Sequence, residues 1–223
     1  MRRRDRRRSR PIADDPLSPD HVPWRGGCGP GSITTAIEDG RPVCIRRVDR
    51  ADEALMRAGI ERMSPHSRYL RFFSGMRTPP DWVIDRLLDA DGVMHLAWGA
   101  LDLSEDPPRS AIGAVHAFRH EEDPECAEFS VAIIDDFHGL GLGKLLTATI
   151  LLDAREEGIT RFHVETLSEN RSATQFTRML GGVGSGTVDA SRGWVLEIDE
   201  ALERLRHQAD PPGIAHVFAA FES

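Results

Sequence analysis

The chain is poor in the residues that staple or anchor a fold from outside its core. It holds three cysteines, one tyrosine and a single lysine in 223 residues. Cys28, Cys44 and Cys126 are widely spaced. That spacing argues against a disulfide framework or a zinc site and for a reducing cytosol. No apolar run approaches the roughly 20 residues of a membrane span, so a cytoplasmic chain with no membrane partner is expected. The first ten residues are an arginine cluster with no apolar stretch after it, which excludes a secretion signal. Internal repeats are absent.

What is present is an ordinary apolar share, 40%, and a net charge of −8. The basic cluster sits at the start, so the remainder is more acidic still. This disfavours nucleic acid as the main partner and suits a cationic amine or a basic protein segment. Residues 1–31, rich in Arg, Pro and Gly, are expected to form a disordered tail. A folded domain is expected over 32–199, and a C-terminal helix and tail over 200–223.

The chain is organised around residues 128–152, E-F-S-V-A-I-I-D-D-F-H-G-L-G-L-G-K-L-L-T-A-T-I-L-L. Phe129, Val131 and Ile133 alternate with Glu128, Ser130 and Ala132, the period of a strand. Gly139, Gly141 and Gly143 follow at every second position. From Lys144 the apolar residues take helical spacing. A glycine loop that ends at a helix N-terminus offers unpaired N–H groups and a favourable dipole to an anion. A phosphate or pyrophosphate is the natural ligand.

Two common phosphate loops are excluded by spacing. A Walker loop would need glycine at His138 and a hydroxyl at Leu145. A dinucleotide fingerprint would need a third glycine at Lys144 or Leu146. The remaining pattern, His138-x-x-Gly141-x-Gly143 after a strand, resembles the acyl-CoA pyrophosphate loop of the GNAT superfamily of N-acetyltransferases. His138 stands where that family usually has Gln or Arg.

Around this loop the pattern predicts a hairpin over 34–48 with an Asp39-Gly40 turn, then three helices. The first uses Leu55, Ala58, Ile60 and Met63. The second is opened by Ser64-Pro65, and the third covers 80–88. Strands follow at 93–101, 111–118 and 127–134. After the loop helix come a strand at 161–166, a helix at 170–180, strands near 187–188 and 194–198, and a polar helix capped by Asp199. This is an α+β chain with one mixed, mostly antiparallel sheet flanked by helices, and its order resembles a whole GNAT domain. S-P-H-S-R-Y-L-R-F-F (64–73) and A-E-F-S-V-A-I-I-D-D-F-H-G-L-G-L-G (127–143) are similar to segments of the protein-lysine acetyltransferase branch. E-N-R-S-A-T-Q-F-T-R-M-L-G (169–181) resembles the second acyl-CoA motif, with Gly182 in place of the usual Phe.

The resemblance implies an acetyl-CoA-dependent transferase acting on a primary amine, a protein lysine foremost. It places the pyrophosphate on His138, Gly139, Leu140, Gly141, Leu142, Gly143 and Lys144. It places the pantetheine along Ile133 and Ile134 and against Asn170 and Ala173. It makes Glu128 the general base. Alternation independently puts Glu128 on one face with the small residues Ser130 and Ala132, which leaves room for a substrate. His116, His163 and Glu165 are weaker candidates for the base. Asn170 also reads as a helix N-cap. The tyrosine that many of these enzymes use as acid would fall at Thr177, and the one tyrosine is Tyr69, so that acid is excluded. Two alternatives stay open: a small-molecule amine as acceptor, and an acyl-CoA-binding regulatory domain without turnover. The lysine branch often carries a nucleotide-sensing domain, for which residues 1–31 are too short.

Overall fold

The protein is described from a computed structural model over residues 28–73, 76, 78–105, 108, 110–208 and 210–222. The arginine cluster and most of the tail expected to be disordered lie outside these residues. Among them, no helix is long and apolar enough to cross a membrane.

The chain opens with a hairpin, β1 (Ile33–Ala36) and β2 (Pro42–Arg47). Gly40, at φ +84°, makes the turn between them, a conformation that favours glycine. Three helices follow, α1 (Glu53–Arg62), α2 (Pro65–Phe72) and α3 (Asp81–Leu88). The start of α2 is well specified. The Ser64 hydroxyl accepts from the N–H of Ser67, and Pro65 takes the first helical position. Strands β3 (His95–Asp102), β4 (Ala111–Arg119) and β5 (Cys126–Ile133) run as a meander into the glycine loop and α4 (Leu142–Glu156). Then come β6 (Arg161–Leu167), α5 (Arg171–Met179), β7 (Val183–Val188), β8 (Ser191–Glu197), α6 (Ile198–Arg206) and α7 (Ile214–Phe221).

The eight strands form one sheet in the order β1-β2-β3-β4-β5-β6-β8-β7. Every neighbouring pair is antiparallel except β5 and β6. A parallel pair needs a long crossover, and α4 is that crossover. Along one face of the sheet, Trp98, Val115 and Phe129 pack with α4, α6 and α7 in one large core. On the other face, Ala97 and Val48 pack with α1 and α3. Alternation along each strand divides the side chains between these two layers. Helix α4 is buried along most of its length. Its Asp153 is satisfied by the Trp98 indole N–H at 2.8 Å and by Arg47 at 2.6 Å.

Three expectations are corrected. Cys28 and Cys44 form a disulfide, with Cα atoms 5.7 Å apart. They are 16 residues apart in sequence, but the hairpin returns the chain beside its own start. The cysteine argument for a reducing compartment therefore falls. Ile198 is not strand but the first residue of α6, and Glu197 rather than Asp199 occupies the cap position. Ile198 is 1% exposed, and the helix begins where that side chain enters the core. The polar helix is amphipathic instead, burying Ala201, Leu202 and Leu205. The last segment, unassigned from sequence, is α7, with Val217 and Phe218 in the main core.

Candidate active site

Strands β5 and β6 pair from Cys126–Arg161 to Phe129–Val164, and no further. β5 continues to Ile133 against β4, and β6 continues to Leu167 against β8. The two parallel strands therefore part over residues 130–133 and 165–167. The ladder decides which backbone groups face the gap. Ile134 donates its N–H to the Ile112 carbonyl at 3.1 Å. In the unbroken antiparallel register that follows, Ala132, Ser130 and Glu128 also bond toward β4. Phe129, Val131 and Ile133 direct their backbone groups the other way. Beyond Phe129 those groups meet no strand.

Ile133 and Ile134, expected together, are thus separated. Ile134 is 3% exposed, and its N–H is committed to β4. Val131, absent from the residues expected from sequence, joins Ile133 on the gap. The side-chain alternation carried this information, because backbone direction alternates in step with it.

The gap ends at the glycine loop. Gly139 and Gly141 have φ of +74° and +79°, the left-handed region that only glycine adopts without cost. The N–H groups of residues 139–143 have no acceptor among the described residues, and they lie at or beside the N-terminus of α4. Lys144 differs. Its N–H bonds the Gly141 carbonyl at 3.0 Å, and its ammonium reaches the Asp210 carbonyl at 3.1 Å. The donor set is therefore 139–143 and omits Lys144. His138 closes the loop onto the strand, its Nε2 lying 2.9 Å from the Ile133 carbonyl. Nε2 must carry the proton there, because a carbonyl only accepts. The loop is braced from behind: a Cβ on Gly141 would lie 2.7 Å from Pro211, and the Leu140 carbonyl accepts from the N–H of Glu38 at 3.1 Å. Unpaired N–H groups, a helix terminus and two glycines in the left-handed region together fit the pyrophosphate of an acyl-CoA.

The opposite face of β5 carries Glu128, Ser130 and Ala132, with Glu128 exposed. The space expected beside them is only partly open. Arg71 of α2 donates to the Ser130 hydroxyl at 2.9 Å. Burial pushes its guanidinium down to about 10, against the attraction of the Glu128 carboxylate. Arg71, like Val131, is a candidate-site residue that sequence reasoning missed; its place in the quoted 64–73 segment was the available signal. Helix α2 is held there by Asp135, whose carboxylate accepts from the Ser64 N–H and the Ser67 hydroxyl, each at 2.8 Å. Burial raises the Asp135 carboxyl, but these bonds outweigh it and hold the group down to about 2. Next to Ala132 the face is open and apolar, lined by Met56, Ile60, Met63, Gly99 and Ala114.

His116 lies directly across from Ser130 on β4. Its Nδ1 is 3.0 Å from Nε2 of His95, whose Nδ1 is 3.1 Å from the Asp89 carbonyl. That carbonyl makes His95 Nδ1 a donor. His95 Nε2 then accepts, His116 Nδ1 donates, and His116 Nε2 is left with a lone pair. Burial lowers both imidazoles, and Arg71 lowers His116 further. His163 and Glu165 stand exposed on β6. Asn170 caps α5, its side-chain oxygen accepting from the Ala173 N–H at 3.0 Å. That leaves its amide N–H₂ without a partner among the described residues. Thr177 is 4% exposed.

Comparison with known proteins agrees with this geometry. The profile of the Acetyltransferase (GNAT) family matches residues 53–181, from the start of α1 to the turn after α5. The acetyltransferase PA5475 of Pseudomonas aeruginosa is 31% identical over 156 residues, covering 70% of this chain and 83% of its own. Acetyltransferase Pat of Mycolicibacterium smegmatis is 24% identical over 151 residues, 68% of this chain and 44% of that relative. Among solved structures, the GNAT domain of S. lividans PAT superposes with a TM-score of 0.68 at 21% identity, covering 74% of this chain and 96% of that one. The acetyltransferase yncA from Salmonella typhimurium, solved with acetyl-CoA, gives 0.56 at 16% identity, over 71% and 95% of the two chains. The parted strands, the glycine loop and these matches converge: the chain belongs to the GNAT family of acetyltransferases.

Proposed function

We propose that this chain transfers an acetyl group from acetyl-CoA to a lysine side chain of a protein, with Glu128 as general base. The observation that carries the reading is the parting of β5 from β6 above the glycine loop. It leaves the backbone of Val131 and the N–H of Ile133 open along a line that leads from the N–H groups of residues 139–143, the Ile133 carbonyl being taken by His138. The pantetheine lies in this gap like an added strand, and a backbone N–H there polarises the thioester carbonyl. The amide N–H₂ of Asn170, with Ala173 beside it, borders the gap from α5.

The amine approaches from the α2 face. A lysine ammonium is almost wholly protonated at neutral pH and must lose a proton before it can attack. Glu128 takes that proton. The amine nitrogen bonds to the thioester carbon, the carbon–sulfur bond breaks, CoA leaves as its thiolate, and the nitrogen releases its second proton to water as the amide forms. With Thr177 in place of a tyrosine acid, the thiolate takes its proton from water. The acidic balance of the chain favours a cationic acceptor. The likeness of residues 64–73 to the lysine branch favours a protein lysine over a small amine. We place the transferase unit at residues 32–199; the rest of α6 and α7 continue from it and pack on the same core.

The test is Glu128→Gln, assayed for turnover on lysine peptides and for acetyl-CoA binding by calorimetry. Turnover is expected to fall by about 10²–10⁴-fold, the usual worth of a positioned base, with binding retained. Turnover at the wild-type rate would remove Glu128 from the mechanism. Acetyl-CoA binding without turnover on any amine, in the wild type, would make the chain a binding module.

A further inference from the structure

At the end of β5 away from the gap, three side chains that can hold a metal converge from three segments. His120 lies in the turn after β4, Cys126 opens β5, and His163 is on β6. One nitrogen from each histidine and the Cys126 sulfur all lie within 4.8 Å of one another. From these we infer a binding site for a borderline divalent ion of the zinc type, held by His120, Cys126 and His163, a proposal independent of the acetyl-transfer reading.

The donor set selects the ion. One thiolate and two imidazoles favour zinc, cobalt or copper over magnesium or calcium, which take oxygen. The distances suit it. Zinc–nitrogen bonds of about 2.0–2.1 Å and zinc–sulfur bonds of about 2.3 Å place tetrahedral ligand atoms roughly 3.3–3.8 Å apart. Cys126 is fixed: it is fully buried, free of any disulfide, and pairs with Arg161 in the β5–β6 ladder. His163 is exposed and His120 half-buried, so side-chain rotations that shorten the widest separation by about 1–1.5 Å close the set. The two rings already meet edge to face, centroids 5.3 Å apart.

The surroundings are organised to hold that arrangement. The His120 N–H bonds the Cys126 carbonyl at 2.9 Å, and the Cys126 N–H bonds the Asp123 carbonyl at 2.9 Å. The turn that carries His120 is thereby tied to the strand that carries Cys126. Arg161 holds Asp123 at 2.5 Å, so this carboxylate is paired and the fourth position falls to water. Glu121, Glu122 and Glu125 are exposed on the same turn and supply a field that draws cations. The ion would cross-link the β4–β5 turn to β6 and clamp the closed end of the strand pair that parts at its other end. Binding replaces the thiol proton of Cys126, which is released to solvent.

The experiment is titration of the whole chain with Co²⁺, followed by competition with Zn²⁺. A near-ultraviolet thiolate-to-cobalt charge-transfer band is expected, saturating at one equivalent and bleached by Zn²⁺. Cys126→Ser should abolish it. His163→Ala, at an exposed position that leaves the core intact, should weaken binding more than about tenfold, since losing even an outer partner of a metal ligand costs that much. Circular dichroism of both variants confirms that they fold. Absence of the band in the wild type would overturn the site, as would a band of equal strength in His163→Ala. A band that survives Cys126→Ser would require a thiolate released from the Cys28–Cys44 disulfide and would also overturn the site.

Discussion

Gly182 has no side chain because Thr177 occupies the place one would take. A Cβ built on Gly182 would lie 2.5 Å from Cγ2 of Thr177 and 2.9 Å from its carbonyl oxygen, and the Gly182 N–H already bonds that oxygen at 2.9 Å. The two positions at which the α5 region departs from the pattern it resembles are therefore one packing solution. Gly182→Ala should destabilise the fold by about 1–3 kcal/mol, the usual range for overpacking. Thr177→Ser removes Cγ2, so the double variant should recover part of that loss. Thermal unfolding of the four proteins of this cycle measures the coupling. Additive losses would show that the two residues do not share the space.

The loop glycines should not be equivalent. Gly139 has open space where a Cβ would go, whereas Gly141 faces Pro211 at 2.7 Å. Both carry positive φ. Gly139→Ala should incur the left-handed cost alone, about 1–2 kcal/mol. Gly141→Ala should add the clash, push Pro211 off the loop and weaken acetyl-CoA more than Gly139→Ala does. Calorimetry on the two variants ranks them, and the opposite order would mean that Pro211 does not brace the loop.

The buried imidazoles make stability depend on pH. His95 and His116 are lowered in the fold, chiefly by burial, so they stay neutral where the unfolded chain would be protonated. The unfolded state then binds more protons below its own value of about 6.5, and stability rises with pH there. Their contribution is fully present above that value and is lost as pH falls below it. Asp135 acts in a separate, lower window, from the ordinary 3.8 down to about 2. Denaturant melts of the wild type should weaken between pH ~7 and ~5, and His116→Asn should flatten that slope. An unchanged slope would acquit the histidine pair.

Much of the architecture could be read from the residues. The glycine loop, the alternation of Phe129, Val131 and Ile133, and the Ser64-Pro65 helix start each state a local geometry, and each occurs. What could not be read depends on contacts between distant segments. The stretch I-A-H-V-F-A-A-F after Asp210-Pro211-Pro212 is too short to show a helical stripe by itself. It becomes α7 because Gly213 lets it approach β1, where the Thr35 hydroxyl donates to the Gly213 carbonyl at 3.1 Å. The pairing of Cys28 with Cys44 and the meeting of His120, Cys126 and His163 are likewise products of strand order. Arg71 could not be placed over Ser130 without Asp135 to dock α2, an interaction spanning 71 residues.

The tether between the Lys144 ammonium and the Asp210 carbonyl has a practical consequence for anyone who works with this protein as a catalyst. Every other basic side chain except histidine is arginine, which an acetyl donor does not modify. On the proposed lysine reading, the enzyme is close to invisible to its own chemistry. Its lone lysine is tied at the surface by that bond, and acetylation there would cut the link between the loop and the C-terminal segment. In a reaction mixed with a candidate acceptor protein, acetyl-lysine signal belongs almost entirely to the acceptor. A single peptide, the one containing residue 144, reports whether the enzyme has acetylated itself.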